Sequence, residues 1–237
     1  MSSNDMNGIE MFGLDEIAAI FEQSIGFRGL TPPTRHAMAA KAISIRFAKG
    51  DTIFHANEPQ RHFYLVAEGL VRVSICSLEG HRLTYLLAVA GEPLNLVSTF
   101  SKKTRMIEAR AMRDSMVVLL KQTDFIAFAF QHPSVISEII TVLGNAVDSA
   151  NSRILDMVGK NVDQRMRRIL HALYLKFGPD LRFTSIEIAE MIGTTVESSL
   201  RALSKLRKKG LIATQRGRIG ILKPEAFTDS DSDILWL

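Results

Sequence analysis

From Phe183 to Gly210 the chain reads FTSIEIAEMIGTTVESSLRALSKLRKKG, which constrains its fold more than any other stretch. Two Thr-x-x-Glu boxes, Thr184 with Glu187 and Thr194 with Glu197, are each able to satisfy the orphan amides that open a helix. Between them Gly193 follows the apolar Ile188, Ala189 and Ile192, where a chain leaves one helix and turns sharply into the next with little side-chain bulk. The spacing predicts two short helices across a tight turn, a helix-turn-helix.

The second of these helices sorts by face. Ser199, Ala202, Leu203 and Leu206 recur at helical spacing and are expected to pack inward, which leaves Glu197, Leu200, Arg201 and Ser204 as an outward stripe. A carboxylate and a guanidinium on one stripe suit base edges in a major groove, Glu to cytosine N4 and Arg to guanine O6 and N7. The plainer alternative is that Glu197 closes its own capping box and pairs with Arg201 at i, i+4 on a solvated surface.

Charge favours the first reading. Through Lys160 there are 16 Lys and Arg against 16 Asp and Glu, a net of zero; from Asn161 to Pro224 there are 13 against 5, a net of +8. The excess coincides with the helix pair. Arg207, Lys208 and Lys209 end the second helix, and Arg216 and Arg218 flank Gly217 in LIATQRGRIGIL, a short strand-turn-strand signal that makes a wing. Thr195, Lys205, Lys208, Arg216 and Arg218 are the candidate phosphate contacts, which hold register and make binding salt-dependent without reading sequence. Val196, Glu197, Leu200, Arg201 and Ser204 are the candidate base contacts.

A length of 237 residues suits two domains, and 46% hydrophobic content suffices for ordinary cores. No apolar run approaches the roughly 18 residues that span a bilayer, and MSSNDMNGIE lacks a basic segment followed by an apolar one, so a cytoplasmic protein without a membrane partner is expected. A single cysteine, Cys76, forbids an internal disulfide and excludes an iron-sulfur cluster of the four-thiolate kind.

The first 130 residues read differently. From Ile43 short apolar runs are broken by Gly, Asp, Asn and Pro, Val71, Val73 and Ile75 alternate with polar neighbours, and Glu79-Gly80 suits a hairpin turn. A small antiparallel β-roll is predicted, preceded by a helix on Ile9, Phe12, Ile17, Ile20 and Phe21 and a second opened by Pro32-Pro33. From Ser134 to about Lys160 no proline intervenes, and Ile139, Leu143, Ala146, Ala150, Ile154 and Met157 step by four or three as a heptad-like seam. A second apolar set, Val135, Ile140, Val142 and Val147, serves the chain's own core. Two faces imply two partners, hence a parallel homodimer, with Gly159-Lys160 as hinge and Asn161 capping the next helix.

This α+β order, an N-terminal antiparallel β-roll, a long helix and a C-terminal winged helix-turn-helix, resembles the cyclic-AMP receptor and fumarate-nitrate regulator (CRP/FNR) superfamily of bacterial transcription factors. The pieces that carry the likeness are FAKGDTIF at 47–54, FYLV at 63–66 leading to EGLVRV at 68–73, AGEP at 90–93, and the helix pair. The likeness implies an effector-sensing domain over 1–133, a dimerisation helix over 134–160 and a DNA-binding domain over 161–237. It also implies double-stranded DNA as partner, RNA polymerase where the protein activates, and no enzymatic activity. Val196-Glu197-Ser198-Ser199-Leu200-Arg201 is similar to the Val-Glu-x-x-Ser-Arg of the fumarate-nitrate branch, with Leu for Ser, which implies a TTGA-like half-site.

In cyclic-nucleotide-binding members a Gly-Glu-Leu segment and a later Arg-Ser pair hold the sugar and the cyclic phosphate. By register Asn95-Leu96 stands for Gly-Glu here and Arg105-Met106 for Arg-Ser, so only the arginine is kept. Cyclic AMP is therefore not the expected effector. Leu94, Asn95, Leu96, Val97, Arg105 and Met106 line the candidate pocket, which favours an organic anion with Arg105 as counter-charge; roll core, with Arg105 on the surface of the 101–104 loop, is the alternative. Two further readings stay open: a haem-based gas or redox sensor, for which the six histidines and Cys76 offer ligands without a distinguishing spacing, and a nucleotide-sensing module that binds no DNA. The His-x-His pair of a metal-holding cupin is absent.

Overall fold

A computed structural model describes residues 12–77, 81–101 and 104–228, apart from the Val97 side chain. Ile9, the Glu79-Gly80 turn, Lys102-Lys103 and the tail from Asp229, with Trp236, lie outside the described residues. The chain forms two compact units, Met1–Cys76 with Leu86–Gly144, and Ser77–Tyr85 with Asn145–Leu237.

The first unit opens with α1 (Leu14–Gln23) and α2 (Pro32–Ala39), the latter started by the expected prolines. A roll follows, made of β1 (Ala42–Phe47), β2 (Thr52–Phe54), β3 (His62–Glu68), β4 (Val71–Cys76), β5 (Arg82–Ala88), β6 (Ile107–Ala111) and β7 (Ser115–Lys121), with the single helical turn α3 (Leu96–Thr99) between β5 and β6. Two sheets form, in the orders β1-β7-β3 and β2-β6-β4-β5, and the registered pairs are antiparallel. β7 is buried from Ser115 to Leu120, because SMVVLL is the middle strand of its sheet and apolar on both faces. Phe63 stacks on Phe125 of α4 (Gln122–Gln131) at 3.9 Å, and Phe21 and Phe27 extend this aromatic core. The bend between β3 and β4 needs Gly69, at φ +94, since a Cβ there would lie 2.3 Å from the Ser115 Oγ and 2.5 Å from the Asp114 carbonyl oxygen.

The alternation expected in β4 does not leave one face wet. Arg72 and Ser74 are as buried as Val71 and Val73, and Ile75 is the residue that turns outward, 38% exposed. β4 is flanked at its edges by β6 and β5, and its first half, Val71 to Ser74, is buried on both faces.

The long helix α5 runs from Pro133 to Gly159, as the unbroken pattern predicts. In the second unit Asn161 caps α6 (Val162–Phe177), exchanging hydrogen bonds with Gln164 in a capping box. β8 (Asp180–Leu181), α7 (Ser185–Ile192), α8 (Val196–Lys208), β9 (Ile212–Gln215) and β10 (Arg218–Ile221) complete a three-helix, three-strand module with sheet order β8-β10-β9. Its core is Met166, Ile169, Leu170 and Leu173 of α6 against Ile188, Ala189, Leu203, Leu206 and Ile219. No single helix among the described residues is long and apolar enough to cross a membrane.

Candidate nucleic-acid interface and effector pocket

Thr184 opens α7 with the expected box: its hydroxyl accepts from the Glu187 amide, and the Glu187 carboxylate accepts from the Thr184 amide at 2.7 Å. Gly193 ends it in the left-handed region, at φ 64 and ψ 56. The second box is displaced. Thr194 donates its amide to the Ala189 carbonyl and so belongs to the end of α7, while Thr195 caps α8 by accepting from the Ser198 amide. Glu197 is thus the second residue of α8, with no box to close.

The inward residues Ser199, Ala202, Leu203 and Leu206 are buried. Glu197, Leu200 and Arg201 are exposed, and Val196 and Ser204 are half-buried beside them. The Glu197 carboxyl is held below the ordinary carboxylate range, first by its own backbone amide, then by the Thr195 hydroxyl, with the charge of Arg201 adding. An ionised acceptor and an exposed guanidinium therefore share one face of a rigid helix.

The phosphate candidates divide. Lys208 and Arg216 are exposed, whereas Lys205 is bonded to Asp163 at 2.7 Å and Arg218 forks onto Asp180. Those two carboxylates, 42 and 38 residues away in sequence, compete with any phosphate. Thr195 already spends its hydroxyl on the helix end. Arg207, exposed one turn beyond Leu203, is a cation that the charge run announced and the phosphate set omitted.

Beneath this surface Arg153 of α5 donates to the carbonyls of Thr84 (2.7 Å) and Met191. Burial pulls its guanidinium down to about 10, with Asp156 opposing. Asp156, itself 6% exposed, also binds Arg168 of α6 at 2.5 Å and Lys160 at 3.3 Å. Nothing in the spacing of these residues announces the cluster.

In the roll, Arg105 is not on a loop surface. It is 2% exposed, its guanidinium carbon lies 4.3 Å from the Phe54 ring centroid and 5.6 Å from that of Tyr64, and its Nη2 donates to the Pro59 carbonyl at 3.1 Å. The Nε and Nη1 of Arg105 and the Nε2 of Gln60 are buried without a hydrogen-bond partner. Burial first, then the charges of Arg105, Arg61 and Lys121, push His62 below its ordinary value. Asn95 is committed to the fold: its Oδ1 accepts from the Tyr64 amide, and its Nδ2 donates to the His62 carbonyl and Gln60. Leu94 and Leu96 are core, while Met106 is 77% exposed and lines no apolar interior; Val97 lies outside the described side chains.

Two family models match in this order: the cyclic nucleotide-binding domain over residues 44–132 and the Crp-like helix-turn-helix domain over 164–229. The chain belongs to the CRP/FNR family. It is 26% identical over 200 residues to the cyclic AMP receptor protein of Thermus thermophilus, covering 82% of this chain and 91% of that one. It is 24% identical to the nitrogen fixation regulation protein FixK of Bradyrhizobium diazoefficiens, over 76% of this chain and 78% of the relative. The solved structure of FixK2 from Bradyrhizobium japonicum superposes with a TM-score of 0.70 at 20% identity, covering 78% of this chain and 95% of that one, a likeness of fold. As a CRP/FNR regulator the chain is a DNA-binding transcription factor with an effector-binding domain, not an enzyme.

On the long helix of this CRP/FNR protein, Leu143, Ala150, Ile154 and Met157 of the expected seam lie on the free apolar face, and two of its members do not. Ile139 and Ala146 are each 4% exposed and belong, with Val135 and Val142, to the chain's own core. Ile140 and Val147, expected inside, are 63% and 59% exposed. Ile140, Leu143, Val147, Ala150, Ile154 and Met157 then step three-four-three-four-three along one side, half-buried at Leu143 and open elsewhere.

Proposed function

We propose that the protein acts in the cytoplasm as a homodimer that binds palindromic DNA with TTGA-like half-sites, under control of a small organic anion in the roll. The base-reading claim is carried by one observation: Glu197, Leu200 and Arg201 stand exposed on the face of a capped helix, in the spacing Val-Glu-x-x-Leu-Arg. Glu197 and Arg201 suit the two strands of the G·C pair, and Leu200 suits a thymine methyl. Lys208 and Arg216 hold the phosphates. Residues 161–237 do the reading, 134–160 the dimerisation and 1–133 the sensing, and activation brings RNA polymerase in as a further partner.

The exposed three-four repeat on α5 supports a parallel pair of helices, which sets two reading helices at the roughly 34 Å spacing of successive major grooves. The Thermus relative is named for cyclic AMP, but the residues here do not suit that ligand. Leu96 is buried core where a carboxylate is needed for a ribose hydroxyl, Asn95 is bonded to β3 where a glycine is needed for close approach, and Met106 offers no hydroxyl to a phosphate. What remains is a donor-rich, carboxylate-poor cluster of Arg105, Gln60 and the positively surrounded His62, which calls for an acceptor. An effector binding there shifts the population of reading-helix arrangements by no more than its differential affinity for them.

The test is selection of duplexes from random DNA by the purified protein, followed by anisotropy titration. Recovery of an inverted repeat containing TGA supports the reading, and a motif without TGA removes it.

A further inference from the structure

A groove opens between the start of α7, the outer face of α8 and the β9–β10 wing. Over a buried floor of Phe183, Leu203 and Ile219, two large apolar side chains stand exposed in its walls, Ile186 at 56% and Leu200 at 51%, one from each helix. Two exposed guanidinium groups, Arg207 and Arg216, line the same groove, together with hydroxyls such as those of Ser185 and Ser204, and none of the lining residues carries a carboxylate. The groove is continuous with the reading stripe, since Leu200 and Ser204 belong to both. A polyanion with an apolar feature on its inner edge is what complements these walls.

Duplex DNA meets that description in one way. Its phosphates supply the anion, and in the major groove the only apolar group a base offers is the C5-methyl of thymine. We infer that one DNA strand lies along this groove, with phosphates on Arg207 and Arg216 and a thymine methyl covered by Ile186 together with Leu200. This rests on the DNA-reading role proposed above and adds a specificity-determining residue, Ile186, from the helix that precedes the reading helix. It also adds Arg207 as a phosphate contact in place of Lys205 and Arg218, which are held by Asp163 and Asp180.

Anisotropy titrations against duplexes in which each thymine of the selected half-site is replaced singly by deoxyuridine test this directly, because the replacement removes the methyl alone. For the wild-type protein, one such replacement weakens binding by about fourfold, the effect of one buried methyl-sized group. Ile186→Ala, at an exposed position, lowers the thymine preference at that site to the share Leu200 supports while still preferring the selected motif, and the Ile186→Ala, Leu200→Ala pair binds the thymine and deoxyuridine duplexes equally there. Arg207→Gln weakens binding to all sequences alike and lowers the slope of log affinity against log salt by about one. Wild-type indifference to every deoxyuridine, or discrimination left undiminished by Ile186→Ala, overturns the inference while leaving DNA reading intact; failure of the wild-type protein to bind any duplex at low salt overturns both.

Discussion

The guanidinium carbon of Arg105 lies 4.3 Å from the centroid of the Phe54 ring, inside the roll. A cation so placed gains about 0.5–2 kcal/mol from the ring and more from the Pro59 carbonyl, but two of its nitrogens pay desolvation without a partner. Replacing even a buried ion pair by apolar side chains of similar volume is often neutral or stabilising by roughly 1–4 kcal/mol, and Arg105 is held by a carbonyl and two rings instead. Arg105→Met is therefore expected to keep or raise the melting temperature, read by thermal denaturation. A fall as large as that of Arg105→Ala would show that the existing bonds, not a missing ligand, account for the arginine.

Arg201→Ala costs about 1–3 kcal/mol of DNA affinity and flattens preference at the guanine it faces. Lys208→Ala weakens all sequences equally and reduces the salt slope. Lys205→Ala changes both far less, because its ammonium is already neutralised by Asp163. Salt titrations of the three variants separate these outcomes.

Binding at the cytosine opposite that guanine is insensitive to pH from about 8 down to 5. The Glu197 carboxyl is depressed below its ordinary value of about 4.3, so its charge is fully present above that value and is lost only as pH falls through the lower, folded-state one. A cytosine preference that faded between pH 7 and 5 would mean that Glu197 is not the acceptor. Anisotropy with matched and mismatched duplexes across this range reads the effect.

For the proposed dimer, Val147→Glu or Ile154→Lys, on the open side of α5, is expected to separate the protomers without unfolding the chain, with sedimentation as the measurement. Ile139→Ala acts in the opposite way. It lowers stability by about 2–5 kcal/mol through the cavity it leaves, with the association of the folded protein little changed.

Gly193→Ala destabilises by about 1–2 kcal/mol, since a left-handed residue with a Cβ is strained and that atom would also stand 3.0 Å from the Met157 Cε. Denaturant titration measures it.

The helix pair was legible because capping and turning are local: Thr184, Glu187 and Gly193 do in the folded chain what their types and spacing demand. Its one misplacement, Thr194 for Thr195, arose because two adjacent threonines offer the same hydroxyl, and only the closing of α7 by the Thr194 amide decides between them. Two seam positions, Ile139 and Ala146, turned inward for a similar reason. Apolar residues stand at both 139 and 140 and at both 146 and 147, and which of each pair is covered depends on what packs against the helix. The partners of Arg105, Lys205 and Arg218 were not legible because their surroundings are non-local. Arg105 is drawn inward where its own backbone bonds Asn57 and Glu58, and the two others meet carboxylates far away in sequence. The fold was thus readable from short-range pattern, and the partners of its charges were not.

Asp156 is one anion shared by Lys160, Arg168 and, through space, Arg153. The joint where the long rod passes into α6 is accordingly gathered around one shared carboxylate, with the Arg168–Ser152 hydrogen bond beside it. Neutralise that single oxygen-bearing group and three positive neighbours begin to push one another apart, so cohesion turns to recoil where the rod meets α6.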